Sequence, residues 1–251
     1  MKRIAWALWL PCAVLLAWQI GSAAGWANRA LFPPPSELAR AAARMIASGE
    51  LAANAGATLL RTVAGFSLGS AAGLMLGLSM GGFPGVRRTF DPVVSALNAT
   101  PRLSLLPLLL LFLGITDSAR IAIIALSSMI TVAIAAFEAV GNIHPAWVQL
   151  AVNYGARRWN LATAVYLPGC LPQLFTGLRL ALGHALVMAV STELVLPSTG
   201  LGSMIWLAWQ TFSTDRLYVA IAFTGLLGVG QDWALKRAER RCIPWKVRDG
   251  D

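Results

Sequence analysis

The chain has 251 residues, of which 57% are hydrophobic and 12% charged, with a mean hydropathy of +0.65. A soluble domain carries about twice that charged fraction, and the apolar residues run in stretches of about 20, long enough to cross a bilayer as helices. An ordinary soluble globule is excluded, and the net charge of +9 reads as Lys and Arg in loops held on the cytoplasmic side, not as a nucleic-acid footprint.

Six spans are expected, at residues 4–24, 56–80, 93–113, 119–140, 173–196 and 217–235, giving an all-α integral membrane protein. The first follows Lys2-Arg3 and ends near Ser22-Ala23-Ala24, which resembles a leader cleavage site. Its apolar run is longer than a leader core and more spans follow, so it reads as an uncleaved helix. Residues 25–50 then bring Pro33-Pro34-Pro35, an N-cap candidate in Ser36 and Glu37 in a first turn. Leu38, Ala42, Met45 and Ile46 share one helical face and Arg40 and Arg44 another, which predicts an amphipathic helix on the outer membrane surface.

The second span carries Gly65, Gly69, Gly73, Gly77 and Gly81, one every four residues. Such a ladder lets another helix approach backbone to backbone. Its drift against 3.6 residues per turn predicts a crossed packing, not a long seam. Gly65-Phe66-Ser67-Leu68-Gly69 also fits G-x-S-x-G, but inside an apolar helix it lacks the strand and sharp turn that the hydrolase motif needs. Asn98, Thr100, Pro101, Arg102 and Pro107 interrupt the third span, so its backbone bonding breaks near Pro101. Irregular backbone at membrane depth is tolerated where protein or a watery cavity covers it. Thr100, Pro101 and Arg102 are therefore candidate pathway residues, or an interfacial helix turns into the span there.

Basic residues decide the orientation. Lys2 and Arg3, Arg87 and Arg88, Arg157 and Arg158, and Lys236 to Arg248 fall on one side if both termini are cytoplasmic. The organisation is then a first helix with the surface helix (1–55), a five-span core (56–240) and a basic cytoplasmic tail (241–251).

Little in the chain suggests catalysis. His144 and His184 fit no metal-ligand spacing, Cys12, Cys170 and Cys242 are scattered, and no carboxylate pair is spaced for acid–base work. No cofactor is called for. A P-loop needs Gly-Lys followed by Ser or Thr, whereas Lys2, Lys236 and Lys246 precede Arg, Arg and Val. ATP, if used, is hydrolysed by another chain. Ionisable groups within spans are costly and point to function: Glu193 is either a pathway or gate residue or a helix-end carboxylate bonded to backbone amides. Arg179, about 21 Å away along the same helix, reads as a structural cation.

Between the fourth and fifth spans, residues 149–168 read as one cytoplasmic helix that Pro168 and Pro172 end. Ala151, Tyr154, Gly155, Trp159, Ala162 and Val165 form a small-and-aromatic face, with Arg157 and Arg158 elsewhere. Gly155 in a helix interior costs about 1 kcal/mol against Ala, and its bareness would admit a partner backbone. A helix floating at the headgroups fits the spacing equally well.

This segment resembles the coupling loop of ABC importer permeases, whose pattern is Glu-Ala-Ala, three residues, Gly, nine residues, then Ile-x-Leu-Pro. Here Gln149-Leu150-Ala151, Gly155 and Val165-Tyr166-Leu167-Pro168 hold those places, with Gln for Glu and Leu for the first Ala. "LFPPPSELARAAARMIASGEL", "LLRTVAGFSLGSAAGLMLGLSMG", "NATPRLSLLPLLLLFLGITDSARI", "LPGCLPQLFTGLRLALGHAL" and "STELVLPSTGLGSMI" follow in the order expected of the nitrate, sulfonate, taurine and bicarbonate branch.

The resemblance implies a type I importer permease fold in the bacterial inner membrane, working as a pair of permease copies. Two separate ATPase subunits would sit on the cytoplasmic face, and an extracytoplasmic binding protein would deliver the substrate. Gln149, Leu150, Ala151, Gly155, Ala156, Arg157, Leu167 and Pro168 would form the ATPase-coupling segment of an alternating-access cycle. The solute would be small and, given Arg102, anionic. A thiamine-pyrimidine-type precursor and an ion-driven transporter without an ATPase are the alternatives.

Overall fold

The computed structural model describes residues 2–26 and 28–245, and for residues 2–8, 158, 159 and 162 the backbone alone. Lys246 and Arg248 of the expected tail, and the side chains of Lys2, Arg3, Arg158, Trp159 and Ala162, lie outside what is described. Eleven α-helices occur among the described residues, and no strand does: α1 (Lys2–Ala23), α2 (Pro35–Ala47), α3 (Glu50–Gly82), α4 (Pro84–Ala99), α5 (Leu106–Leu113), α6 (Asp117–Gly141), α7 (Pro145–Asn153), α8 (Arg158–Leu161), α9 (Leu167–Val195), α10 (Leu201–Gln210) and α11 (Thr214–Cys242). A 3-10 turn (Arg102–Leu105) precedes α5, and a π-turn (Ala162–Tyr166) leads into α9.

Among the described residues three helical stretches are long and apolar enough to cross a membrane: Glu50–Gly82, Asp117–Gly141 and Thr163–Val195. A fourth results if Pro84–Ala99 and Arg102–Leu113, bent by 100° at their junction, count as one broken span. The break falls where the sequence places it. Thr100 leaves the helical region at ψ 134°, and Pro101 can supply no helical N–H. The described part of α1 is a shorter apolar helix, Trp9–Ala23. The 29-residue α11 carries Asp215 and Arg216 at one end and Arg240 and Arg241 at the other, which shortens its apolar stretch.

The chain divides into two compact units, Met1–Thr58 with Glu193–Leu227 and Leu59–Thr192 with Gly228–Asp251. The first is built around Ala41, Met45, Leu51, Leu201, Met204, Val219 and Ala220. The helix expected in residues 25–50 forms as α2, but its buried positions are Ala41 and Met45, which face this protein core, while Ile46 is exposed. Ala41 and Met45 of its apolar side are thus covered by protein. Ser36 is not its N-cap: the helix starts at Pro35 behind Pro34, and Ser36 instead exchanges two hydrogen bonds with Gln19.

In the second unit the glycine ladder lies on α6. A Cβ on Gly65 would strike Ile124, one on Gly73 the Met129 carbonyl, and one on Gly81 Val140 (2.6 Å). At Gly69 and Gly77 it would land on the Ala125 and Ala133 carbonyl oxygens. The contact numbers climb together, so the two helices run parallel along one long seam. This corrects the expected crossed packing. The facing helix has its own four-residue series (Ala125, Met129, Ala133 and Ser128, Val132, Ala136, Val140), so two ridges drifting alike stay in register.

Candidate functional site

The residues singled out from sequence fall at three places where polar groups gather. The first is the break before α5. Arg102 reaches α6, where its Nη1 donates to the Ser127 carbonyl (3.3 Å), Ser127 Oγ (3.0 Å) and Thr131 Oγ1 (3.1 Å), and its Nη2 donates to Asn98 Oδ1 (2.9 Å). Every one of these acceptors is neutral. The Thr131 hydroxyl donates to the Ser127 carbonyl (3.1 Å) and lies 3.5 Å from His184 Nδ1. Asn98 and His184 are exposed and Arg102 and Thr131 half-buried. Thr100 closes α4 with a hydroxyl bond back to the Ala96 carbonyl (2.9 Å), and exposed Pro101 starts the 3-10 turn that swings Arg102 onto α6.

The second is the start of α10. Glu193 is fully buried. Its carboxylate accepts from the Thr58 hydroxyl (3.0 and 2.9 Å) and from the Gly202 N–H (2.9 Å). The Leu201 N–H donates to Thr58 Oγ1 (2.9 Å), and the Gly200 N–H to Asn54 Oδ1 (2.8 Å). Three successive N–H groups that a helix start leaves without intrahelical acceptors are thus met by three side chains. The negative charge sits at the positive end of the helix dipole. Gly200, at φ 125°, is where the carboxylate fits, because a Cβ there would overlap it. Arg179 instead pairs with Asp232 and Glu239 of α11.

The third is the segment after α6. Its expected single helix over 149–168 is corrected: α7 stops at Asn153, and Gly155 stands at φ 81°. The Ala156 N–H donates to the Ala151 carbonyl (3.0 Å) and the Gly155 N–H to the Val152 carbonyl (2.9 Å). This is the Schellman pattern, with glycine at the left-handed position. Gly155 is therefore a helix stop, and nothing lies within 4 Å of where its Cβ would be. Pro168 and Pro172 do not end a helix either; they sit in the first turns of α9. Around the stop, Gln149, Gly155, Arg157 and Leu167 are exposed, and Ala151, Ala156 and Pro168 half-buried. Trp147, Leu150, Val152 and Tyr154 (86% accessible) are large apolar or aromatic side chains left open on α7 and its cap.

Of the residues singled out from sequence, Thr100, Pro101 and Arg102 lie together, and Glu193 belongs to a separate constellation. Asn54, Thr58, Gly200 and Gly202 around Glu193, and Ser127, Thr131 and His184 near Arg102, carry no motif. Only the four-residue spacings Asn54–Thr58 and Ser127–Thr131 gave a hint of two of these pairs.

Over residues 69–243 the chain matches the family described as "Binding-protein-dependent transport system inner membrane component". It is 32% identical over 236 residues to the putative aliphatic sulfonates transport permease protein SsuC of Escherichia coli strain K12, covering 94% of this chain and 90% of that one. It is 32% identical over 173 residues to the taurine transport system permease protein TauC of the same strain, covering 69% and 63%. The riboflavin transport system permease protein RibX of Chloroflexus aurantiacus is 29% identical over 251 residues, covering 98% and 94%. Among solved structures, an amino acid ABC transporter shares the fold with TM-score 0.67 at 16% identity, over 79% of this chain and 97% of that one. The inward-facing MetNI methionine ABC transporter does so with TM-score 0.59 at 18% identity, over 77% and 92%. The chain belongs to the binding-protein-dependent inner-membrane transport components, the permeases of ABC importers.

Proposed function

We propose that the chain is the permease of an importer for small sulfonate-type anions, driven by separate ATPase subunits that grip the α7 turn. The observation that carries the coupling reading is the open apolar surface of Trp147, Leu150, Val152 and Tyr154, held beside a glycine-locked helix stop between two apolar spans. Large side chains left open on so short a helix fit a docking patch for another protein. The segment keeps the Gly and Leu-Pro of the coupling loop and replaces its Glu with Gln149, so docking would rest on apolar contact more than on charge.

Completing the reading, α1 and α11 add two crossings to the four, both termini face the cytoplasm, and a second permease copy closes the pathway. A binding protein delivers the solute from outside. ATP-bound ATPases draw the two α7 turns together and open the path outward; hydrolysis returns it inward. The relatives' named solutes include sulfonates, taurine and riboflavin, so the family alone leaves the solute open. Arg102, held by neutral acceptors only, favours an anion over a neutral compound.

Proteoliposomes holding the permease, its ATPase and its binding protein test this. Uptake of labelled ethanesulfonate is expected only with ATP on the ATPase side. Uptake driven by a proton or sodium gradient without ATP would overturn it in favour of a secondary transporter.

A further inference from the structure

Resting on the anion-importer reading, we propose that Arg102 and Asn98 form an oxoanion-binding station inside the membrane, with Ser127 and Thr131 positioning the guanidinium. Depth comes first. Ser127 and Thr131 lie about 15 and 21 Å along α6 from Asp117 at 1.5 Å per residue, in the middle of a 25-residue span. His184, beside Thr131, is likewise mid-way along α9.

Charge comes second. A cation at that depth is costly unless water, protein or a counter-charge attends it, and Arg102 makes no ion pair with any carboxylate among the described residues. Its neighbours Asn98 and His184 are open. Polar groups open at mid-span depth fit the wall of a watery path better than a lipid-facing surface.

Donor count comes third. Of five guanidinium N–H groups, the two on Nη1 serve Ser127 and Thr131 and one on Nη2 serves Asn98. Nε–H and the second Nη2–H make no bond to the described residues. Asn98 accepts through Oδ1, and its amide hydrogens make no bond to the described residues. A tetrahedral oxoanion supplies what this set lacks, namely negative charge and several acceptor oxygens at once. Sulfonate solutes and lipid phosphates share that chemistry, and the test separates them.

Ethanesulfonate binding to the purified permease in nanodiscs of phosphatidylcholine is followed by saturation-transfer NMR, alongside uptake by the full reconstituted complex. Wild type is expected to bind it saturably, with dimethyl sulfone, a neutral analogue, failing to compete. Arg102→Gln and Asn98→Asp, which seats a carboxylate on Arg102, should each weaken binding by at least about tenfold. Thr131→Val should weaken binding a few-fold and Thr131→Ser should restore it, which a purely packing role would not require. Adding phosphatidylglycerol should leave binding unchanged; displacement by it would overturn the proposal in favour of a lipid seat. Wild-type binding in either Arg102→Gln or Asn98→Asp would also overturn it. Saturable, Arg102-dependent binding without any uptake would uphold the station and sink the sulfonate-import reading instead.

Discussion

Glu193 on α9 and Arg102 in the turn before α5 are both ionisable side chains amid apolar helices, and the protein treats them in opposite ways. Glu193 is sealed: no surface reaches solvent, a hydroxyl and a backbone amide donate to it, and a glycine is kept bare to make room. Arg102 is half-open and is steadied by neutral acceptors that do nothing to its charge. A buried carboxylate satisfied on the spot is part of the scaffold. A charge positioned but left uncompensated is what a passing solute can use.

Stability measurements on single variants break or sharpen that contrast. Gly200→Val should fail to yield folded protein, since its side chain takes the carboxylate's place at a φ of 125°; detection of a monodisperse detergent-solubilised protein would contradict the packing. Glu193→Ala should cost about 3 kcal/mol, because Thr58 and the Gly202 N–H lose a charged acceptor in a sealed place. Gly69→Ala should cost about 2 kcal/mol or more as overpacking against the Ala125 carbonyl, while Gly85→Ala, with nothing within 4 Å, should be near neutral; thermal melts of the pair test the ladder directly. Gly155→Ala should cost about 1 kcal/mol from the left-handed backbone alone. Arg102→Ala should cost less than about 1 kcal/mol, as its partners are neutral and half-open. Equal losses for Glu193→Ala and Arg102→Ala would erase the distinction between scaffold and site.

Much of the fold was legible because membrane helices announce themselves by length and hydropathy, and Pro101 marked a break that the structure places there. The α10 helix was not, because its start depends on Asn54 and Thr58, distant in sequence, which join nearby Glu193 only after folding. Gly155 was legible as part of a small-residue face but not as a helix stop. A glycine inside an unbroken small-residue pattern reads as helix interior, whereas the positive φ that makes it a stop is invisible without coordinates. The ladder glycines were readable as a packing ridge, but the length of the seam depended on a second ridge in α6 that only the pairing shows.

Co-purification with an ATPase subunit tests the proposed coupling role of the α7 turn most directly. Leu150→Asp with Tyr154→Asp changes two exposed side chains and should leave the thermal melt unchanged. The double variant is expected no longer to co-purify with the ATPase, and ATP-dependent uptake to fall to background. A folded variant that still holds its ATPase and transports at the wild-type rate would contradict it.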